Sequence, residues 1–152
     1  MSSTPHITVA AVIEKDGKYL MVKELANDLV VFNQPAGHWE VDESLTDAAI
    51  RETLEETAWE FTPEALVGVY RWKHPQKDDV YLRVTFCGSV NKFHSDQPLD
   101  DGILEAIWMS HEELAALPEI ERRSAMVLQS ILDYEQGRRF DLNLLSDVIE
   151  HW

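Results

Sequence analysis

The 152-residue chain has a single cysteine, Cys87. One thiol cannot close an internal disulfide, so the sequence points to a reducing compartment, the cytoplasm. Cys87 also has no basic neighbour in sequence, and it reads as a small buried apolar residue rather than a nucleophile. Positive charge is scarce as well: 13 Lys and Arg stand against 28 Asp and Glu, for a net charge of −15. Such a chain repels nucleic-acid backbones and anionic membranes, and the pairs Arg122-Arg123 and Arg138-Arg139 are too isolated to form a compensating patch. No stretch approaches the ~18 apolar residues of a membrane span. The opening Met1-Ser2-Ser3-Thr4-Pro5 lacks the layout of a secretory signal. Several chemistries are missing too. Gly-x-Ser-x-Gly, Gly-x-x-x-x-Gly-Lys-Ser/Thr and Gly-x-Gly-x-x-Gly do not occur, nor does zinc spacing or a calcium-binding EF-hand loop.

What is present is an ordinary share of apolar residues, 45% hydrophobic, in patterns that predict one α/β domain over 1–152 with a mixed sheet. Residues 6–14 and 18–23 read as strands around an Asp16-Gly17 hairpin turn. Residues 29–32 suggest a short strand ended by Asn33 to Gly37. A helix over 44–58 starts at the N-cap Ser44, and Pro63 is expected to break the chain after it. Strands follow at 65–74 and 79–90, then a loop over 91–102 and a strand at 103–109. A short helix capped by Ser110 precedes Pro118, and a longer helix is predicted from there to about Tyr134.

The helix over 44–58 carries the chemistry. At 3.6 residues per turn, Leu45, Ala48, Ala49, Glu52, Glu55 and Glu56 share one stripe, with Ile50 and Leu54 opposite. Three acids thus continue a stripe whose first turns are small and apolar. Like charges at this spacing cost roughly 0.2–0.5 kcal/mol per pair. Anions in the last turn also oppose the helix dipole, at roughly 0.3–1 kcal/mol each. A divalent cation would offset both. Oxygen-only ligands on a rigid helix suit Mg²⁺, or Mn²⁺, holding a phosphate.

Gly37, five residues, Glu43, seven residues, then Arg51-Glu52-x-x-Glu55-Glu56 resembles the box of the Nudix hydrolases. Thr53, Ala58 and Trp59 depart from that pattern, and none of them removes a ligand. The stretches 33–40, 82–86, 100–114 and 123–140 extend the likeness to the small NudJ-type phosphatases of the family. The resemblance implies an α/β/α sandwich with a mixed sheet and a loop–helix–loop catalytic motif. It also implies hydrolysis of a phosphoanhydride in a nucleoside tri- or diphosphate or a thiamin-related diphosphate. A pyrophosphohydrolase of a linked nucleoside diphosphate such as ADP-ribose, and a non-catalytic nucleotide-binding module, are the alternatives.

The resemblance also assigns roles. Glu52, Glu55 and Glu56 become metal ligands, joined by the Gly37 carbonyl. Glu43 and Arg51 support the motif, and Glu40 is a solvated acid. The base that activates water is a glutamate of the helix or an acid from the loop before 103–109, which offers Asp100, Asp101 and Glu105, with Asp101 best placed by resemblance. His38, Trp39, Trp72 and Arg83 are candidates to bind substrate, with Tyr70 a further aromatic near the expected cleft. Trp108, Met109 and Met126 read as core. The expected partner is a small phosphoanhydride, with no nucleic-acid polymer or membrane, and the chain is expected to be a monomer or small homo-oligomer.

Overall fold

A computed structural model describes residues 4–150; Met1 to Ser3 of the N-terminal reading, and His151, lie outside them. Strand β1 (His6–Lys15) turns through Asp16 and Gly17, both at positive φ, into β2 (Lys18–Ala26). Two successive residues at positive φ match the twist of a tight hairpin. Asn27 and Asp28 repeat the device between β2 and β3 (Leu29–Asn33), a second hairpin that the sequence reading did not single out. A short strand β4 (Ala36–His38), also unanticipated, pairs antiparallel with β1 through Val9 and Gly37. Helix α1 (Leu45–Thr57) follows, with the Ser44 hydroxyl accepting from the Asp47 N–H.

Two expectations are corrected. Pro63 does not break the chain but lies inside β5 (Trp59–Lys73), at a register shift opposite Gly88 of β6 (Val80–Phe93). A bulge on an outer strand tolerates a residue without an N–H. The long helix after Pro118 is interrupted. A 3₁₀ turn at Glu119–Glu121 ends in a segment whose Arg123 N–H donates to the Phe32 carbonyl, and only Met126–Glu135 forms helix α3. Strand β7 (Ile103–Met109) and helix α2 (His111–Ala116), with its Ser110 and Glu113 capping box, form as predicted.

The sheet runs β3-β2-β1-β6-β5, with β4 also on β1 and β7 also on β2. Strands β1 and β6 are parallel and the other pairings antiparallel, so the sheet is mixed. Alternation along β1 decides the layers. Val9, Ala11 and Ile13 join Ala48 and Ala49 of α1 in one core, while Val12 joins Val127 and Ile131 of α3 in another. Helices therefore cover both faces, the expected sandwich. No helix among the described residues is long and apolar enough to cross a membrane.

Gly88 marks the tightest contact between β5 and β6. A Cβ there would lie 2.0 Å from the Thr62 carbonyl oxygen, a backbone atom that cannot swing aside. Gly88→Ala should therefore destabilise the fold by about 1–3 kcal/mol, read as a lower urea midpoint. An unchanged midpoint would mean that the bulge is soft.

Candidate active site

Helix α1 buries Ala48, Ala49, Glu52, Thr53, Glu56 and Thr57. The small residues of its first turns let it sit close to the sheet, and the same face then carries two carboxylates inward. Glu52 is 9% exposed and Glu56 8%. Glu55 stands at the edge of this face, half-buried. Desolvation disfavours a carboxylate, and burial pushes Glu52 up to about 7 and Glu56 up to about 9. The Ala36 N–H donates to Glu56 Oε1 at 2.9 Å, which only partly offsets the burial.

Gly37 explains how the Glu52 carboxyl fits. A Cβ on residue 37 would lie 2.1 Å from Glu52 Cδ, so the carboxyl occupies the space a side chain would take. Arg51 organises the surrounding acids. Its Nη1 donates to Glu52 at 2.9 Å and to Glu55 at 2.8 Å. Its Nε and Nη2 form a fork on Glu43 at 2.9 and 2.7 Å, and Nη2 also reaches the His38 carbonyl at 3.1 Å. The hydrogen bonds from Arg51 hold the Glu43 carboxyl below its ordinary range, and those to Glu43 raise the guanidinium in turn. Glu40 is 3.7 Å from Arg51 Nε and mostly solvated.

The C-terminal end of α1 builds the other half of the site. Ala58 caps the helix at φ 65°, in the left-handed region where Gly is the usual residue. The last carbonyls are met by the following loop. Gln97 Nε2 donates to Leu54 O, the Asp100 N–H to Glu55 O and the His94 N–H to Ala58 O. That docking brings the Asp100 carboxylate to Glu52 and Glu55, with one oxygen from each of the three within 4.8 Å of the others. Asp101, the expected base, is instead an exposed corner of the turn closed by the Ile103 N–H on the Asp100 carbonyl. Sequence alone did not separate two adjacent aspartates, because the difference is made by one backbone hydrogen bond to α1.

A cleft of about 470 Å³ opens beside the acids, and Gly37, His38, Glu40, Glu52, Glu56, Trp72 and Arg83 all line it. Trp39 does not. Its indole Nε1 donates to the Glu43 carbonyl at 2.6 Å and its ring packs on the α1-side core. Nor does Tyr70, whose hydroxyl donates to Asp133 at 2.7 Å. Glu105 is on β7, 3.9 Å from Lys23. Arg83 is 4% exposed, and burial pushes it down to about 10. The cleft also contains residues the sequence reading did not select, among them Thr8, Glu24, Asn33, Tyr81, Arg123 and Ser124. Arg123 and Ser124 arrive through the interruption before α3, for which no sequence signal was visible.

A model of the NUDIX domain matches residues 4–130. The chain belongs to the Nudix family. Phosphatase NudJ of Escherichia coli (strain K12) is 38% identical over 143 residues, covering 94% of this chain and 92% of that protein. A NUDIX hydrolase from Nitrosomonas europaea superposes with a TM-score of 0.92 at 44% identity, over 95% of this chain and 98% of its own. The NUDIX domain of Shewanella oneidensis NrtR, complexed with ADP ribose, matches at a TM-score of 0.67 and 19% identity, over 88% of each chain. At that identity the likeness is one of fold alone. The chain is a Nudix hydrolase, an enzyme acting on phosphoanhydrides.

The donor set fits a divalent cation. It is all oxygen, one oxygen each of Glu52, Glu55 and Asp100 converges, and the buried Glu52 carboxyl shares its one cation, Arg51, with Glu55, so that an ion would replace missing solvation.

A carboxyl whose folded pKa is raised binds its proton more tightly in the folded state. The folded state is then favoured at low pH and loses that advantage as pH rises through the folded value. In chelator, the melting temperature should fall as pH rises from 4.5 to about 9, the window set by Glu56. Glu56→Gln keeps the acceptor for Ala36 without the charge, and should flatten that fall. Equal slopes for the two proteins would contradict the burial of an ionisable Glu56.

Proposed function

We propose that this Nudix hydrolase removes orthophosphate from the end of a nucleoside tri- or diphosphate, or of a thiamin-related diphosphate, in a Mg²⁺-dependent reaction. The observation that carries the reading is the convergence of Glu52, Glu55 and Asp100 near the C-terminal end of α1, beside a cleft that Glu52 and Glu56 also line. The 38% identity to Phosphatase NudJ supports a phosphatase over other Nudix activities.

In this reading Glu52, Glu55 and Asp100 hold the ion, with Glu56 and the Gly37 carbonyl completing the site and Mn²⁺ as a substitute. When bound by these residues, Mg²⁺ would supply charge neutralisation for the phosphates and make water a better nucleophile. Arg51 fixes the rotamers of Glu52 and Glu55, and Glu43 fixes Arg51, so the acids need not reorganise during the reaction. Water adds to the terminal phosphorus, the P–O–P bridge breaks, and the chain shortens by one phosphate. Asp100, the exposed member of the set, would hold the ion through one carboxylate oxygen and offer the other as proton acceptor, the role first expected of Asp101.

Two experiments test this. Chromatography of reactions with Mg²⁺ and a panel of nucleoside tri- and diphosphates, thiamin diphosphate and ADP-ribose should show orthophosphate and a product one phosphate shorter. AMP from ADP-ribose, or inorganic diphosphate from a triphosphate, would replace the phosphatase with a pyrophosphohydrolase. Binding without turnover would favour a non-catalytic module. Separately, Asp100→Asn should lower kcat by about 10²-fold or more, as loss of a general base does. Asp101→Asn should stay within about twofold, as exposed substitutions do. The reverse order would return the role to Asp101.

A further inference from the structure

Arg83 has few direct partners for its charge. It is 4% exposed, and among the described residues no carboxylate touches it, Glu24 and Glu56 acting on it only through space. Its Nη2 donates to Asn33 Oδ1 at 3.2 Å and its Nη1 reaches Gln34 Oε1 at 3.5 Å, while the buried Nε has no partner among the described residues. Two weak neutral acceptors for a guanidinium with five donors is a poor exchange for water. Glu24, which lines the same cleft, is already held by Arg123 at 2.7 Å.

The surroundings of Arg83 narrow what would complete it. Because an arginine only donates, Asn33 and Gln34 must turn their oxygens toward it. The Asn33 amide N–H₂ then points away from Arg83, and this part of the cleft wall is rich in donors. Two residues back on the same face of β6, Tyr81 stacks on His6 with ring centroids 4.6 Å apart and meets Trp72 at 5.5 Å. Tyr81 and Trp72 line the cleft. Two aromatic rings, tilted 47° to each other, thus stand next to a recessed donor.

Strand register sets the distance to the acids. Arg83 lies opposite Thr8 of β1, and Thr8 lies opposite His38 of β4, next to Gly37. Two strand spacings separate Arg83 from the edge of the acid cluster, about 10 Å between backbones. That separation lets a single nucleotide place its phosphates at the acids and its ring on the aromatic wall.

We infer that Arg83, oriented by Asn33 and Gln34, is a specificity-determining residue that donates to a carbonyl oxygen on the heteroaromatic half of the substrate. The inference rests on the hydrolase reading above and adds a substrate class to it: rings with an exocyclic oxygen, such as guanine and uracil, over adenine, which has none. A site built to hydrogen-bond a group rejects the analogue that lacks it, because its own buried donor is then left unpaired.

The test is kcat/KM of the full chain with Mg²⁺ on GTP, UTP, ATP and inorganic triphosphate, for wild type and Arg83→Met. Wild type should favour GTP and UTP over ATP by about tenfold or more, the value of one good bidentate or charged contact. Arg83→Met should collapse that preference to within about twofold, mainly through KM. Equal efficiency of wild type on all three nucleotides overturns this inference and leaves the hydrolase standing, whether or not the variant folds. A variant that keeps the wild-type melting temperature yet loses GTP, UTP, ATP and inorganic triphosphate alike would show that Arg83 holds a phosphate, which also overturns it. Hydrolysis of none of them overturns the hydrolase reading and this inference together.

Discussion

Burial of two carboxylates on one face of α1 is the constraint around which the rest of the site is arranged. On a solvated helix, the repulsion between Glu52 and Glu56 would be a matter of roughly 0.2–0.5 kcal/mol. Removing an ion from water costs several kcal/mol, so burial, not mutual repulsion, dominates here. Each neighbouring feature reduces that cost or exploits it. Gly37 gives up a side chain to make room for the Glu52 carboxyl. Strand β4 presents the Ala36 N–H to Glu56. Arg51 spans Glu43, Glu52 and Glu55 with one guanidinium. These contacts fix the acids in place but leave their charge only partly compensated, which is the condition a cation-binding enzyme site requires.

The end of α1 links helix stability to site assembly. A helix with acids and no basic residue in its last turn has exposed carbonyls and an unfavourable dipole. The loop from His94 to Asp100 supplies three donors to those carbonyls, and the same docking delivers Asp100 to Glu52 and Glu55. Capping and ligand placement are one event. The interruption between the 3₁₀ turn and α3 gives up helix to form a bridge to Phe32, and it places Arg123 and Ser124 on the wall of the same cleft.

Much of this was legible in the residues. The Asp16-Gly17 turn, the Ser44 cap and the stripe of small residues leading into Glu52 and Glu56 are local signals, and they were read correctly because period and capping act over a few residues. The features that escaped are set by long-range pairing. Pro63 survives in a strand because β6 offers Gly88 across a bulge. The helix after Pro118 stops because Phe32, some ninety residues earlier, takes the Arg123 N–H. Asp100 rather than Asp101 joins the acids because of one bond to Glu55 O. Trp39 looked like a cleft aromatic from its place beside His38, yet just past β4 its indole turns to the Glu43 carbonyl and the α1-side core. His38 stays on the cleft and Trp39 goes to the core.

The roles of Glu52, Glu55 and Asp100 depend on a divalent cation at the end of α1. Diffraction from crystals soaked in Mn²⁺, with anomalous differences measured at the manganese edge, tests it most directly. A manganese peak beside the carboxylates of Glu52, Glu55 and Asp100 is expected. A fully soaked crystal with no peak there, or with manganese bound only outside the cleft, would contradict it.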